Sequence, residues 1–408
     1  MNSAENAPQV AIVGAGPAGM LLAWLLVKNG IRVTIIERHL DFSREFRGEG
    51  IQASVIKHLD DLGLMDHILK KGMGIRAEAA RVFFDNKPVA VLKGMDSNAD
   101  FGLILHQEKF LAYLHETLSK TPLYSSFLGY NAIQFDENEE KIVNIIIADK
   151  QKKEHSISAD VFFITTGRGT ALRKKLGMKS FKVATHWNIL WILLPKPNQE
   201  ELVPKGFRAY LNGENLFILY TNSEGMIQMA WGRKDENILK QRDFNQRKST
   251  LLSEIPRQYK TLIERGYTKA SRSQFLKVEC DRLHQWHKKN VLFLGDAAHT
   301  MTPVAGQGIN LAIRDSIVAA NHCIPLLQKN HPIDQIVFNN IQKERIKEVK
   351  MMQKFQQKFG YFMLGAPKWQ SKIFFLILLP VLKKVGIQKR MLRKVQGGVT
   401  EVRIKHKC

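Results

Sequence analysis

Three glycines and one carboxylate near the start of the chain have the spacing of a site for a phosphate-bridged ligand. Gly14-Ala15-Gly16-Pro17-Ala18-Gly19 reads G-x-G-x-x-G, and Glu37 follows Gly19 by 18 residues. Gly14 permits a tight turn, Gly16 lets the backbone approach a pyrophosphate, and Gly19 lets a helix lie close to a sheet. A helix opening at Ala18 offers free N–H groups and a positive dipole end to the phosphates. Glu37, with Arg38 beside it, stands where a carboxylate accepts from ribose hydroxyls. A ligand-free glycine turn can carry the same pattern. The apolar strand Gln9 to Val13 before it and the helix after it favour the dinucleotide reading.

FAD and NAD share the pyrophosphate geometry, so this motif does not choose between them. A second cluster bears on the choice. Val291 to Leu294 reads as a strand and runs into Gly295-Asp296-Ala297-Ala298-His299, with Pro303, Gly306, Gln307, Gly308 and Asn310 following. Asp296 at a strand end can accept from polyol hydroxyls. Gly306 and Gly308 leave room for a flat ring on the backbone. A helix starting near Gly308 aims N–H groups where they stabilise negative charge. Pro303 stiffens the loop.

Together the two motifs resemble those of the FAD-dependent aromatic hydroxylases, the class A flavoprotein monooxygenases of the para-hydroxybenzoate hydroxylase type. The likeness covers roughly residues 8 to 330. It implies FAD, with Asp296 on the ribityl chain and Pro303 to Gly308 bordering the isoalloxazine. By the same likeness Gln107 falls on the adenosine side. Arg47 contacts the flavin, with Arg44 as the alternative. The implied reaction is hydroxylation of a hydrophobic aromatic molecule with molecular oxygen, through a flavin C4a-hydroperoxide. No side chain acts as nucleophile. Electrons come from NAD(P)H or a separate reductase.

One position departs from the family pattern. The middle motif expects an Asp-Gly pair after a strand, and this chain reads Ile164-Thr165-Thr166-Gly167-Arg168, with Arg173 further on. Thr166 stands where the family has the Asp, which is implicated in both FAD and NAD(P)H binding. FAD binding is expected to survive, because a hydroxyl still donates and accepts. Reduction by NAD(P)H is expected to be slow without substrate.

These residues need elements to hold them. The pattern predicts strands at 9–13 and 32–36 around a helix at about 18–29, then helical character over 51–71 broken at Gly63. Strand pieces follow at 80–84 and 89–92, a helix at 108–119, and strands at 132–135, 142–148 and 161–165. A β-rich block spans 183–231, polar helices fill 235–265, and a helix covers 308–328. The order implies an α/β fold: a discontinuous Rossmann-like FAD-binding domain (1–75, 100–180, 280–330) with an inserted β-sheet substrate domain (76–99, 181–279). A basic helical C-terminal extension completes the chain (331–408). Trp187, Trp191, Phe217, Tyr220, Met229 and Trp231 either line a substrate cavity in that sheet or form plain sheet core. His299 is expected to be a structural partner rather than a proton relay.

Charge narrows the partners. The 408 residues carry a net +23, and Tyr361 to Cys408 hold 11 Lys or Arg against one acid, Glu401. Apolar residues cluster in the same stretch, so the tail suits either an anionic membrane surface or a helix covering the flavin domain. Its longest apolar run, Ile373 to Leu382, falls short of the ~20 residues of a membrane span. No nucleic-acid-binding motif accompanies the charge, and no histidine spacing suits a metal. Three scattered cysteines fit a reducing compartment, hence the cytoplasm or the inner face of a membrane. Two other readings stay open: an FAD-dependent reductase of isoprenoid double bonds, and an FAD-binding protein without turnover.

Overall fold

Four apolar segments from distant parts of the chain pair in parallel beside a fifth, Tyr124–Leu128. The sheet order is His287–Lys288, Val291–Phe293, Val161–Ile164, Gln9–Val13, Arg32–Glu37, Tyr124–Leu128. Only the first, two-residue strand runs antiparallel to its neighbour. Val161–Ile164 is buried along its whole length, as a parallel strand covered on both faces must be. The computed structural model describes residues 9–43, 49–94, 100–168, 170–185, 187–198, 204–384 and 386–406.

The helix Pro17–Lys28 is buried from Ala18 to Val27 because Gly308–Leu327 packs against it. The Ser316 hydroxyl donates to the Ala18 carbonyl at 2.8 Å, tying the start of the first helix to the middle of the second. An antiparallel meander, Asn131–Glu137, Ile142–Ala148 and Glu154–Ser158, forms a separate three-stranded sheet. This is the α/β, Rossmann-like architecture expected from the sequence.

A second, seven-stranded sheet is built from residues 79–92 and 188–276. Its order is Ser273–Leu276, Asn188–Leu194, Ile227–Arg233, Asn215–Thr221, Gly206–Leu211, Ala79–Phe84, Lys87–Leu92. One face packs against the helices between Glu236 and Gly266, through Phe217, Met229, Trp231, Tyr259 and Tyr267. The other face carries Trp187, Ile189, Trp191, Leu216 and Tyr220 and looks towards the glycine loops.

Some elements differ from the pattern. Residues 50–52 form a strand, not helix, because they pair with Gly102–Leu105. The segment from Val183 is not one strand: Ser180–Lys182 pairs with Asp281–Leu283, and the long strand begins at Asn188. Tyr124–Leu128, with two serines at its centre, gives no strand signal in the sequence, yet it edges the parallel sheet.

The C-terminal region is integral to the fold. The helix Gln335–Gly360 lies on Gly308–Leu327 through a buried polar cluster. Arg345 Nε donates to Asp315 Oδ1 at 2.8 Å, and Glu348 pairs with both Arg345 and Arg314. Arg314 also donates to the Thr400 carbonyl, which pins the end of the chain. From Lys368 to Lys384 a continuous helical stretch with a π-helical centre buries Phe375 and Leu379 against the second sheet. Among the described residues no helix is long and apolar enough to cross a membrane.

Candidate functional site

The first glycine loop cannot be other than small. Gly14 has φ +106°, and a Cβ there would sit 2.6 Å from the Thr165 carbonyl oxygen. A Cβ on Gly19 would sit 1.9 Å from the Gly14 carbonyl oxygen. The Thr165 hydroxyl donates to the Val13 and Gly14 carbonyls at 3.0 and 2.6 Å, which locks the loop to the neighbouring strand. The helix starts at Pro17 with Gly16 as its N-cap and no side chain capping it. Its first N–H groups therefore face open space. Glu37 is buried; its Oε2 accepts from the Ala15 amide at 2.8 Å, and its Oε1 accepts from the His39 amide at 3.1 Å.

The second loop is built around a left-handed Ala305 (φ +60°). A non-glycine residue in that region costs about 1–2 kcal/mol. The Ala305 carbonyl accepts from Gln52 Nε2 and Gln307 Nε2, each at 3.0 Å. Asn310 accepts from the Gln52 amide at 2.8 Å and donates to the Gly50 and Gly306 carbonyls at 3.0 and 2.7 Å. Asn310 thus staples the loop to the strand at 50–52. Arg173, the last residue of the middle motif, holds the Asp296 turn: it donates to the Ala297 carbonyl at 2.6 Å and to the Asp296 carbonyl at 3.2 Å. Its charge is met by Asp281 at 2.6 Å.

Both loops open into one cavity of about 650 Å³. Gly14, Gly16, Ala18, Glu37, Arg38, Gln107, Thr166, Asp296, Pro303, Gly306, Gln307 and Gly308 all line it. Gly19 and Asn310 do not; they hold the loops that do. Arg47 and Arg44 lie outside the described residues. Beyond the loops the cavity continues onto the second sheet, where Trp187, Trp191 and Tyr220 line it. Phe217, Met229 and Trp231 do not face it. They belong to the opposite side of the sheet, because side chains alternate along a strand and residues 217 and 220 differ by an odd number.

The cavity contains features that motif reading missed. Trp191, Ala230, Ile218, Ala209, Val82 and Ala90 lie in register across six strands, and the alanines leave floor space between larger neighbours. Leu379, Met363, Phe359 and Phe355 wall it from the C-terminal region. Glu49 also lines it. Burial, with the charge of Glu224 second, pushes the Glu49 carboxyl up to about 8. Among the described residues, Glu49 Oε2, Thr166 Oγ1, Trp191 Nε1, the Tyr220 hydroxyl and Thr302 Oγ1 are buried at this cavity without a hydrogen-bond partner. Native interiors satisfy nearly all such atoms, so these positions suit the polar groups of a ligand. No group of side chains suited to a metal ion occurs among the described residues.

His299 lies behind the second loop rather than in the cavity. Its Nε2 is 2.7 Å from Asp315 Oδ2, which also accepts from the Gly295 amide at 3.1 Å. Burial disfavours the Asp315 charge, but His299 and Arg345 outweigh it and hold the carboxyl below its usual range.

A long cavity with a capless helix N-terminus at one end and an apolar sheet at the other fits an extended nucleotide carrying a flat ring. Residues 7–330 match the FAD binding domain family, and the chain belongs to it. It is similar to 6-methylpretetramide 4-monooxygenase of Streptomyces rimosus, at 27% identity over 76% of this chain and 73% of that one. It is also similar to a 3-(3-hydroxy-phenyl)propionate/3-hydroxycinnamic acid hydroxylase of Escherichia coli, at 24% identity over 98% and 72%. Among solved structures, p-nitrophenol 4-monooxygenase PnpA of Pseudomonas putida superposes with a TM-score of 0.81 at 16% identity, covering 97% of this chain and 99% of that one. The protein is a flavoprotein monooxygenase that uses FAD.

Proposed function

We propose that the chain hydroxylates an apolar aromatic molecule lying between the Pro303–Gly308 loop and the wall of Trp187, Trp191 and Tyr220. The supporting observation is that a single cavity joins the two glycine loops to that wall. When bound, FAD supplies the electron transfer and oxygen activation; the protein supplies position and field. The free N–H groups after Gly16 hold the pyrophosphate. Glu37 and Asp296 accept from ribose and ribityl hydroxyls. The N-terminus of Gly308–Leu327 favours negative charge on the reduced ring. The apolar floor orients the substrate and excludes water. Incubation of the reduced protein with labelled oxygen and a panel of polycyclic phenols tests this. One labelled oxygen atom in a product is expected. Hydrogen peroxide alone, or a product heavier by two hydrogens, counts against it.

Thr166 bears on the reductant. We infer that NAD(P)H reduces the flavin slowly until substrate binds, because a two-oxygen acceptor has become a single hydroxyl. Stopped-flow reduction checks this: Thr166→Asp should accelerate it, and rapid substrate-independent bleaching in the unchanged protein contradicts it.

We also infer a peripheral place on the cytoplasmic face of a membrane. Trp369, Ile373, Ile377 and Val381 form one exposed stripe at four-residue spacing along 368–384, with exposed Lys368, Lys372 and Lys384 around it. Such a stripe seats in an anionic bilayer surface. Because Leu379 on the same stretch walls the cavity, removing the tail is not a clean test. Instead, Trp369→Ser with Ile377→Ser should abolish sedimentation with phosphatidylglycerol vesicles and leave FAD bound. Sedimentation unchanged by the pair contradicts this placement.

A further inference from the structure

The cavity is apolar along most of its length; of its unpartnered polar atoms, Thr166 Oγ1, Gln52 Oε1 and Thr302 Oγ1 lie at the glycine loops, and Glu49 Oε2, Trp191 Nε1 and the Tyr220 hydroxyl lie towards the second sheet. Glu49 precedes the strand Gly50–Gln52 that Asn310 staples to the second glycine loop. It therefore stands where that loop meets the second sheet. Tyr220 comes up from the sheet to meet it: its ring packs on Phe207 with centroids 5.0 Å apart, and its hydroxyl lies against the Glu49 backbone amide. No well-formed hydrogen bond links them, and both the Tyr220 hydroxyl and Glu49 Oε2 remain unpartnered. Trp191 adds a third unpartnered polar atom, its Nε1–H, to the same cavity.

We propose that Glu49 and Tyr220 form a hydrogen-bonding subsite for an oxygen acceptor on the substrate, such as a ring ketone, and so fix which edge of the ring faces the flavin. The proposal rests on the aromatic-substrate reading above. The chemistry follows from the donors. The Tyr220 oxygen faces an amide N–H, which leaves its O–H proton free to donate. A neutral carboxyl likewise donates one O–H, whereas a carboxylate only accepts and repels a carbonyl oxygen. Two convergent donors select an acceptor over a bare hydrocarbon, since an unmatched buried donor costs more than an absent one.

The groups facing Glu49 set the direction of its pH response. Tyr220 on the strand Asn215–Thr221 stays neutral, because burial raises its hydroxyl far above the usual range. Glu224, in the turn after that strand, is the negative neighbour. Lys109 bonds to Glu224 at 2.9 Å, and His106 lies 3.6 Å from it. Arg272 also acts on Glu224. Glu49 therefore keeps its proton at neutral pH and loses it as pH rises through about 8. The acceptor-binding form exists below that value.

The test uses the FAD-loaded protein and two nearly isosteric probes, 2-acetylnaphthalene and 2-ethylnaphthalene, by titration calorimetry. At pH 6.5 the ketone should bind roughly tenfold more tightly than the hydrocarbon, as one to two added hydrogen bonds allow. That preference should vanish by pH 9.5. Glu49→Gln keeps a donor, so it should keep the preference and lose the pH dependence. Glu49→Leu, which leaves Tyr220 as the remaining donor of the pair, should lose most of the preference and keep hydrocarbon binding. A preference that persists undiminished in Glu49→Leu, or that is flat from pH 6.5 to 9.5 in the unchanged protein, overturns the subsite and leaves the monooxygenase reading standing. A loss of FAD affinity in Glu49→Leu with the ketone preference intact assigns the carboxyl to the cofactor and also overturns it. Failure of both probes to bind overturns the aromatic-substrate reading with it.

Discussion

The two faces of the seven-stranded sheet are made of similar residues and are finished differently. On the face against the Glu236–Gly266 helices the polar tips of Trp231, Tyr210 and Tyr267 are partnered, although Arg208 Nε, Thr221 Oγ1 and Arg233 Nε are not. Trp231 Nε1 donates to Asn215 at 3.0 Å, Gln258 donates to the Tyr210 hydroxyl at 3.0 Å, and Arg247 donates to the Tyr267 hydroxyl at 2.9 Å. On the cavity face Trp191 Nε1 and the Tyr220 hydroxyl have no partner. Buried Trp and Tyr normally find one. The first face is packed against helices, and the second lines the cavity. Aromatic content does not separate them; the state of the Trp and Tyr polar tips does.

The largest effect expected from this contrast is on stability. Trp231→Ala should cost about 3–5 kcal/mol in urea unfolding, the range for a fully buried aromatic. FAD affinity of the fraction that stays folded should be unchanged. A small loss would mean that this face is not close-packed and would blur the contrast. Next in size is the cofactor end of the cavity. Asp296→Ala should weaken FAD by about 1–3 kcal/mol through the loss of an acceptor, read as an increased dissociation constant with little change in melting temperature. An equal constant would remove Asp296 from the cofactor's contacts.

An acid-side prediction tests the support behind the second loop. Asp315 is held below its usual range by His299 and Arg345. Its contribution to stability is therefore complete above the unfolded carboxyl value and is lost as pH falls through the lowered folded one. Asp315→Asn should flatten the acid limb of the melting-temperature profile. A limb as steep as that of the unchanged protein would place the acid sensitivity elsewhere. The smallest effect belongs to Tyr220→Phe. Its hydroxyl makes no well-formed hydrogen bond and only lies against the Glu49 amide, so melting temperature should stay within a degree or two of the original or rise. A marked drop would show that the hydroxyl is satisfied within the protein.

The glycine-loop end of the cavity was largely legible in the sequence and the sheet end was not, for a physical reason. Glycine loops act through backbone geometry, and that demand is local. Gly14 and Gly19 are required by atoms a few residues away or on the adjacent strand, so their spacing carries the signal. The second sheet is buried on both faces, so Ile189 to Leu194 reads as a continuous apolar run and Ile227–Arg233 is buried through Gly232. Parity along a strand separates Phe217 from Tyr220, but nothing in the sequence tells which parity faces the ligand. That depends on where the helices after Glu236 pack. Glu49 carried no signal either, because its environment is made by Tyr220 and Glu224, far along the chain. The tail reads as a basic extension because the buried Phe375 and Leu379 share one short apolar run, Ile373 to Leu382, with exposed Ile373, Ile377 and Val381, and lysines flank it.

One paired measurement tests the contrast between the faces most directly. Trp191→Leu and Phe217→Leu, both FAD-loaded, are compared for melting temperature and for the affinity of 2-acetylnaphthalene. The account predicts that Trp191→Leu weakens the probe roughly tenfold, as loss of an aromatic contact and one donor implies, with a small change in melting temperature. It predicts that Phe217→Leu lowers the melting temperature clearly and leaves probe affinity as it was. Loss of probe binding in Phe217→Leu with full binding in Trp191→Leu would put the substrate on the other side of the sheet and contradict the account.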